Sequence, residues 1–427
     1  MTRKALNWAI ALAVLSTAAD LRAQVLTVTL EEAIELALRA QPNVVRARGD
    51  LDVARATQRE ALGNWFPTLS ANSGWSTNSA TRFDPNTQRT VTAASTSYSA
   101  GLSASLELFD GFRRPALNRA ASAGAESAEA ALVNQEFQVI LQTKQAFFNA
   151  LSAAELVRVS ETRIERAAQQ LKIAKDKLAA GSATRSDTLR AMVELGNAQL
   201  QLLNAQAQLA TAEANLGRMV GVDGPVRPVA DSTLFRLGEL DTAALREEAR
   251  RNSPAVRLAE AQARAAAAQV VVSRAQYFPS ITASYSQSFA GNSLDAMNNT
   301  WSARVSLSWP LFNGFSRELN LSRSVAAREA AEVQAADARR QVDAQLTQYL
   351  AALNAAQQQL VIAEASRAAA EEDLRVQQER YRLGAATILD VLTSQVNLDQ
   401  AEVDLVQARL NLLLAKAQLE ALIGREL

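Results

Sequence analysis

The sequence predicts an α+β membrane protein, in which four transmembrane β-strands of each chain contribute to a β-barrel and long α-helical coiled coils extend from it. Two stretches, 113–180 and 316–383, have the composition of uninterrupted helices. Four shorter stretches alternate between apolar and polar residues, which is typical of β-strands. The same order of segments occurs twice, so we expect a two-fold internal repeat.

The two helical stretches are each 68 residues long. The first contains only Pro115 and Gly124 as helix-breaking residues, and the second contains neither Gly nor Pro. A helix of this length would measure about 100 Å, several times the mean for a soluble protein, so its length indicates a structure that spans a distance. Apolar residues at seven-residue spacing predict coiled coils. They are Val157, Ile164, Leu171, Leu178, Leu195, Leu202, Leu209 and Leu216, and then Leu398, Leu405, Leu412 and Leu419.

The alternating segments carry small hydroxyl residues on one face and apolar residues on the other. A soluble antiparallel sheet with one face on a core is the commoner source of this pattern. A barrel is favoured because each run has about ten residues, enough for a tilted strand to cross a bilayer, and aromatic residues lie at many run ends. The residues expected to face the lumen are Ser103, Ser105, Ser284, Arg304 and Ser306, and those expected to face lipid are Leu102, Leu106, Ala283 and Val305.

Four strands are too few to close a barrel, since the smallest membrane barrels have about eight. The bilayer core offers no hydrogen-bond partners to an open sheet edge. The strands of several chains must therefore combine, and the sequence predicts an oligomer.

Self-comparison locates the repeat. Trp65-Phe66-Pro67 recurs as Tyr277-Phe278-Pro279 at an offset of 212 residues, whereas Leu108-Phe109-Asp110-Gly111-Phe112 recurs as Leu311-Phe312-Asn313-Gly314-Phe315 at an offset of 203. The nine extra residues of the first copy are expected in a loop between Ala71 and Leu108. The predicted domains are a first repeat (24–221), a connector (222–241) and a second repeat (242–427). Strands are expected at about 66–77, 97–109, 278–289 and 301–312, and long helical hairpins at 113–221 and 316–423.

The composition argues against catalysis. The chain has neither Cys nor His, and its 44 basic residues balance 44 acidic residues. Most nucleophile–base pairs and transition-metal sites use Cys or His, so we expect no enzyme activity, no cofactor and no metal site. The zero net charge gives no reason to expect nucleic-acid binding. Residues 1–23 have the pattern of a secretory signal peptide, because basic residues precede a short apolar run.

Each predicted hairpin turns at a glycine. Gly181 and Gly384 follow the long helices and precede new leucine repeats, so each is expected to end a helix in the left-handed conformation. Hydroxyl and carboxylate residues then stand where they would cap the returning helix. The expected capping pairs are Thr184 with Asp187 and Thr387 with Asp390. The need to end one helix and cap the next explains these residues about as well as a functional role does.

Taken together, these residues resemble the TolC-like outer-membrane efflux proteins over essentially all of the mature sequence. The resemblance is carried by the repeat, the aromatic-Phe-Pro triplets, the Leu-Phe-Asp/Asn-Gly-Phe motifs and the two glycine turns. The chain departs from some members because it has no Cys for a lipid anchor and ends at Leu427 without a longer tail. It also has Lys177-Leu178-Ala179-Ala180-Gly181 where many members carry Arg-Leu-Gly or Arg-Val-Gly.

The resemblance implies that three protomers form a 12-stranded barrel in the cell outer membrane, continued by a helical tunnel through the periplasm. It implies a passive exit duct, recruited by an inner-membrane pump of the RND or ABC type and by a periplasmic adaptor, the membrane fusion protein. At the turns it implies a periplasmic tip. The residues assigned to adaptor docking are Gly181, Thr184, Leu383, Gly384 and Thr387, and those assigned to gating, by pairing between helices, are Asp187, Arg382 and Asp390.

Two other functions stay open on the residues alone. The first is a non-transporting coiled-coil scaffold of the envelope, anchored in the outer membrane, which measurements of channel conductance would separate from a duct. The second is a secreted hydrolase that uses Ser with Lys or a carboxylate, and the abundance of Ser is its main support. Acidic pairs such as Glu31-Glu32 and Glu247-Glu248 have no His partner and are expected to be solvated helix faces.

Overall fold

A computed structural model describes residues 26–85, 88–230 and 242–427. The signal peptide predicted at 1–23 lies outside these residues. The elements of the first half are β1 (Leu26–Val28), α1 (Leu30–Ala40), α2 (Pro42–Gly63), β2 (Thr68–Asp84), β3 (Arg89–Phe109), α3 (Arg113–Ala179), α4 (Arg185–Val220) and β4 (Val226–Pro228). Those of the second half are α5 (Thr242–Asn252), α6 (Pro254–Arg274), a 3-10 turn (Ala275–Tyr277), β5 (Ser280–Gly291), β6 (Asn298–Ser308), α7 (Ser316–Arg382) and α8 (Ile388–Ile423).

The chain divides into two compact units. The strand unit comprises residues 47–132 and 256–339, and the helical unit comprises the residues before 47 together with 133–255 and 340–427. The long helices α3 and α7 are each 67 residues long and contribute to both units. We call the α3–α4 pair hairpin 1 and the α7–α8 pair hairpin 2.

The strand unit contains a four-stranded antiparallel sheet in the order β2-β3-β5-β6. Its register places the hydroxyl residues of neighbouring strands opposite one another, as in the row formed by Ser70, Ser103, Ser286 and Ser302. Two pairs in this row are hydrogen-bonded, Ser70 to Ser103 at 2.6 Å and Ser286 to Ser302 at 2.9 Å. The opposite face is largely apolar, with Leu106 beside Ala283 and Ala283 beside Val305.

The first two strands are longer than the sequence pattern indicated. β2 continues to Asp84 and β3 begins at Arg89, so the pair extends past the predicted limits of 77 and 97. The nine extra residues of the first repeat lie in this paired region and not, as expected, in a loop. The alternating pattern does not reveal this part of the strands because both of its faces are polar. Hydroxyl pairs link the strands here, Thr77 to Thr96 at 3.3 Å and Thr81 to Thr92 at 3.0 Å.

The fourth strand is shifted towards the N-terminus. β6 begins at Asn298 and ends at Ser308, whereas the sequence placed it at about 301–312. Pro310 has no N–H to donate to a sheet. The carbonyl oxygens of Pro310 and Leu311 accept hydrogen bonds from the Arg317 guanidinium instead, at 2.8 and 3.0 Å. β5, placed at about 278–289, begins after Pro279 and continues to Gly291.

The helical unit has a core to which both hairpins contribute. Phe147 and Leu216 of hairpin 1 are fully buried, and Leu413 and Ala417 of α8 belong to the same hydrophobic cluster. The short strands β1 and β4 pair in parallel beside it, which corrects the assignment of 222–241 as connector alone. A three-residue strand carries no periodic pattern, so the sequence offered no signal for it. α1 begins with a capping box of Thr29 and Glu32.

The residues predicted at seven-residue spacing are more fully buried in hairpin 2 than in hairpin 1. Leu398, Leu405, Leu412 and Leu419 are all buried. In hairpin 1 Leu171 and Leu216 are buried, Leu195, Leu202 and Leu209 are partly buried, and Leu178 is exposed.

Candidate functional site: the two helical turns

Both hairpins turn through the same backbone motif. Gly181 has φ 73° and Gly384 has φ 80°, the left-handed conformation that the sequence predicts. In hairpin 1 the N–H of Ser182 donates to the carbonyl of Lys177 at 2.9 Å, and the N–H of Gly181 donates to that of Leu178 at 3.0 Å. Hairpin 2 repeats both bonds, with 2.8 Å from Ala385 to Arg380 and 3.1 Å from Gly384 to Tyr381. These are Schellman motifs, which satisfy the last carbonyl groups of each helix.

The returning helices begin with capping boxes, also as predicted. The Thr184 N–H donates to the Asp187 carboxylate at 2.8 Å, and the Asp187 N–H donates to the Thr184 hydroxyl at 3.3 Å. Thr387 and Asp390 form the same pair of bonds at the same distances. The hydrogen bond from the backbone N–H of the threonine is the main cause that lowers the pKa of each aspartate. A lowered pKa in the folded state means that both caps are intact at neutral pH and are lost only in acid below the ordinary aspartate range.

Among the described residues, the hydrogen bonds of the three residues assigned to gating lie within their own helix ends. Asp187 and Asp390 are used by their own caps, and the Arg382 guanidinium donates to Glu379 at 3.0 Å within α7. Capping needs the carboxylate three residues after the threonine, and an i,i+3 pair is the nearest partner for an arginine on a helix surface. These three charged side chains are therefore hydrogen-bonded to groups three residues away in the same helix or cap.

A contact between Lys177 and Tyr381 joins the two turns. The Lys177 ammonium lies 4.1 Å from the centroid of the Tyr381 ring and donates a hydrogen bond to the Tyr381 carbonyl oxygen. The Tyr381 ring is buried, and burial, followed by the charge of Asp187, raises the pKa of its hydroxyl. Sequence reasoning missed this pair because its members are 204 residues apart, and the local motif around each turn gives no information on contacts between the hairpins.

The turns themselves carry little packing. A Cβ atom added to Gly181 or Gly384 would meet no atom within 4 Å. Leu383 is 76% exposed, although it is a large apolar side chain directly beside the turn. The docking residues assigned from the sequence, Gly181, Thr184, Leu383, Gly384 and Thr387, thus lie on two similar and accessible turns. Leu383 therefore offers an exposed apolar surface beside the turn.

The five residues assigned to the lumen share one face of the sheet. Ser105 lies opposite Ser284, and Ser284 lies opposite Arg304. Ser103 is two residues from Ser105 on β3, and Ser306 is two residues from Arg304 on β6, so both fall on this same face. The four residues assigned to lipid lie on the opposite face, where Gln287 beside Leu102 is a polar exception.

The described residues contain no group of three or more acidic side chains placed to hold a metal ion. No helix among the described elements has an apolar stretch long enough to cross a bilayer.

Comparison with known proteins identifies the family. The profile of the outer membrane efflux protein family matches residues 33–222 and 245–425, which is most of the chain. This chain belongs to the outer membrane efflux protein family. It is 28% identical to the pyoverdine export outer membrane protein OpmQ of Pseudomonas aeruginosa over 331 residues, covering 77% of this chain and 69% of OpmQ. It is 29% identical to CyaE of Bordetella pertussis over 308 residues, covering 67% of this chain and 61% of CyaE.

Solved structures show the same fold. The structure of CusC superposes with a TM-score of 0.81 at 20% identity, covering 93% of this chain and 92% of CusC. The open state of the outer membrane channel MtrE of Neisseria gonorrhoeae gives a TM-score of 0.77 at 22% identity, covering 93% of this chain and 89% of MtrE.

Family membership fixes the location and the general role of the chain. It is an outer-membrane protein whose helical part lies in the periplasm. It serves as an exit channel for efflux or export, and proteins of this kind are passive channels rather than enzymes.

Proposed function

We propose that three copies of this chain form a 12-stranded barrel continued by a helical tunnel, and that this trimer is the exit duct of a tripartite efflux or type I secretion system. The observation that carries the proposal is the four-stranded sheet, which has a hydroxyl face and an apolar face, and whose outer strands β2 and β6 each pair with a single strand among the described residues. Lipid cannot satisfy the backbone groups of a free edge, so β6 of one copy would pair with β2 of the next.

An apolar stripe on α4 supports association of several copies through the helices as well. Val193, Leu200 and Leu203 are each more than 60% exposed, and they recur at the seven- and three-residue spacing of one helix face. Exposed apolar stripes of this kind on a soluble surface are covered by a partner. A neighbouring copy would cover this one in the trimer.

The proposed partners are a periplasmic adaptor at the turns and an inner-membrane pump of the RND or ABC type. The turns offer Leu383 and the two rigid Schellman motifs as the docking surface. Asp187, Asp390 and Arg382 would contribute to gating by stabilising the shape of the turns and by forming ion pairs with a neighbouring copy. The pump would select the cargo, because the hydroxyl face of the sheet consists of small polar residues that distinguish little between substrates.

Conductance of the reconstituted protein tests the duct and the faces of its strands together. The chain has no Cys, so a single introduced Cys is the only thiol. A charged thiol reagent should reduce single-channel conductance of Ser105→Cys and Ser284→Cys, because both residues lie on the hydroxyl face. The matched variants Leu106→Cys and Ala283→Cys lie one residue away, on the apolar face, and should keep the conductance of the untreated channel.

A chain that forms trimers in detergent but gives no discrete channel events would favour the coiled-coil scaffold over the duct. Equal labelling of both pairs of variants by the water-soluble reagent would contradict the assignment of the two faces. A stable monomer, or a dimer, would exclude the 12-stranded barrel.

Replacing Gly384 with Val should abolish export while trimers still assemble in the outer membrane. A β-branched residue at φ 80° is strained, by roughly 1–2 kcal/mol for the left-handed conformation, and the turn would change shape. Because an added Cβ would meet no neighbouring atom, the strain stays within the turn. Export of a reporter compound measures the loss of transport. Cross-linking to the adaptor in cells measures the loss of docking at the turn.

Gly49→Val is the matched control for this substitution. Gly49 lies on the exposed surface of α2, and an added Cβ there also meets nothing within 4 Å, but its backbone is helical. This variant should export normally. Normal export by Gly384→Val as well would remove the turn from the docking site.

A further inference from the structure

A single charged side chain lies in the middle of the hydroxyl face of the sheet. Arg304 of β6 lies opposite Ser284 of β5, and Ser284 lies opposite Ser105 of β3. Four rows of this face cross all four strands, and the other residues in these rows are uncharged. The rows are Thr68-Ser105-Ser284-Arg304, Ser70-Ser103-Ser286-Ser302, Asn72-Gly101-Ser288-Thr300 and Gly74-Ser99-Ala290-Asn298.

The Arg304 guanidinium has no structural partner in the part of the chain that the structure describes. The residue is exposed, and it forms no ion pair there. Two other arginines of the strand unit are bound to their surroundings. Arg317 donates to two main-chain carbonyl groups at 2.8 and 3.0 Å, and Arg114 pairs with Asp110 at 3.3 Å. The charge of Arg304 therefore acts on the space beside the hydroxyl face and not on a neighbouring side chain.

Glu107 is the nearest acidic residue on this face among the described strands, and it does not cancel the charge of Arg304. It lies beside Thr282, in the next row towards the helices. Standard sheet spacings put it roughly 12 Å from Arg304, which exceeds the screening length of about 8 Å at physiological ionic strength. Its carboxylate lies 3.4 Å from the Arg113 guanidinium, so its charge is compensated locally.

We propose that Arg304 makes the lumen of the duct selective for anions, an inference that rests on the proposed function. Symmetry would place the three Arg304 side chains of a trimer at one level of the barrel. The low-dielectric wall would focus the field of this ring into the lumen. Rings of basic side chains select anions in other pores. The serine rows distinguish little between solutes, and the ring adds a preference for negative charge.

The surroundings of Arg304 suit small solutes that carry a carboxylate, sulfate or phosphate group. A planar guanidinium donates two parallel N–H bonds to such a group. The hydroxyl groups of Ser284, directly opposite, and of Ser302 and Ser306, two residues away on the same face, can donate further hydrogen bonds. Because the site is exposed to water, each contact is weak, and a bound anion can leave again as conduction requires.

Reversal potentials of the reconstituted full-length protein test the ring. In a gradient of potassium chloride near 0.01 M, where the screening length is about 30 Å, Arg304→Gln should lower the chloride-to-potassium permeability ratio about threefold or more. Arg304→Lys keeps the charge and should keep the wild-type ratio, whereas Arg304→Glu should fall below Arg304→Gln. At about 1 M salt, where the screening length is about 3 Å, all four proteins should converge.

Introduced thiols supply the matched control. In Arg304→Cys, a cationic thiol reagent should restore the wild-type permeability ratio, and an anionic reagent should lower the ratio further. Val305→Cys carries its thiol one residue away on the apolar face, so neither reagent should change its ratio. Both signs of charge are compared on one folded protein, so this comparison does not depend on the folding of Arg304→Gln.

Citrate, a tricarboxylate, probes binding at the ring. It should reduce the single-channel current of the wild type, and its half-blocking concentration should be about threefold or more higher in Arg304→Gln. Spermidine, a trivalent cation, should block the wild type no more strongly than Arg304→Gln, because the ring repels it.

Three outcomes separate the ring from the duct. Channel events with the same low-salt permeability ratio in the wild type, Arg304→Gln and Arg304→Glu would overturn the ring and leave the duct in place. Equal changes of ratio in Arg304→Cys and Val305→Cys on reaction with the cationic reagent would overturn the placement of Arg304 in the lumen. A wild type without channel events would reject the duct, and the ring with it.

Discussion

Replacing Gly111 with Ala is expected to destabilise the strand unit by about 3 kcal/mol, through backbone strain and steric overlap together. Gly111 has φ 66°, and an added Cβ would lie 2.6 Å from the Cβ of Phe278 and 2.8 Å from the carbonyl oxygen of Ala275. Both neighbours are main-chain or near-main-chain atoms and cannot move aside without shifting the 3-10 turn that leads into β5. Thermal unfolding of the purified protein in detergent measures the loss.

Gly314→Ala is the internal control, because Gly314 is the equivalent residue of the second repeat. It has the same φ of 66°, but an added Cβ would meet no atom within 4 Å. Only the backbone term remains, so the loss should be about 1–2 kcal/mol. Equal losses in the two variants would show that the overlap at Gly111 relaxes freely and that strain alone decides the effect.

The comparison of these two glycines shows what the sequence could predict. The motifs Leu-Phe-Asp-Gly-Phe and Leu-Phe-Asn-Gly-Phe are nearly identical, so the sequence treats Gly111 and Gly314 as the same position. Their different surroundings depend on contacts with the 3-10 turn, far away in the chain. The helical turns were predictable for the opposite reason, because the left-handed glycine and the Thr-x-x-Asp cap are satisfied within a few residues.

The long β2–β3 pair shows a second limit. Strand prediction uses alternation between an apolar and a polar face, and the residues from Ser76 to Ser97 are mostly polar on both. Backbone pairing and hydroxyl contacts hold them together without that signal. The offset of nine residues between the repeats located the insertion correctly, but an offset measures length and does not distinguish strand from loop.

The ion pairs that join the two hairpins, from Arg163 and Arg166 to Asp399 and from Arg166 to Glu402, could not be found from the sequence at all. Arg163, Arg166, Asp399 and Glu402 are spaced like the many other charges on these helices, most of which are solvated. Their importance comes from burial between α3 and α8, which are more than 200 residues apart in the chain. Heptad spacing predicts which helix faces are apolar, but it does not specify which polar residues of two hairpins meet.

Replacing Lys144 with Met is expected to destabilise the helical unit by about 3–5 kcal/mol, the usual cost of leaving one member of a buried ion pair without its partner. The Lys144 ammonium lies 2.7 Å from the Glu420 carboxylate, and the two side chains are only 6% and 9% exposed. Glu426 lies 3.5 Å from the same ammonium and is 83% exposed. It is itself a carboxylate, so it cannot compensate the charge of Glu420 once Lys144 is replaced. Urea unfolding of the wild type and the variant in detergent gives the difference in the free energy of unfolding.

The double variant Lys144→Met with Glu420→Gln separates charge from packing. The introduced glutamine would still accept the hydrogen bond that the Leu427 N–H donates to Glu420 at 3.1 Å, but would carry no charge to be compensated. Most of the lost stability should therefore return, as it does when both members of a buried pair become neutral. Arg339→Gln breaks the exposed pair with Glu260 and should cost less than about 1 kcal/mol. If the double variant is no more stable than Lys144→Met alone, the loss comes from packing around the lysine stem and not from the uncompensated carboxylate.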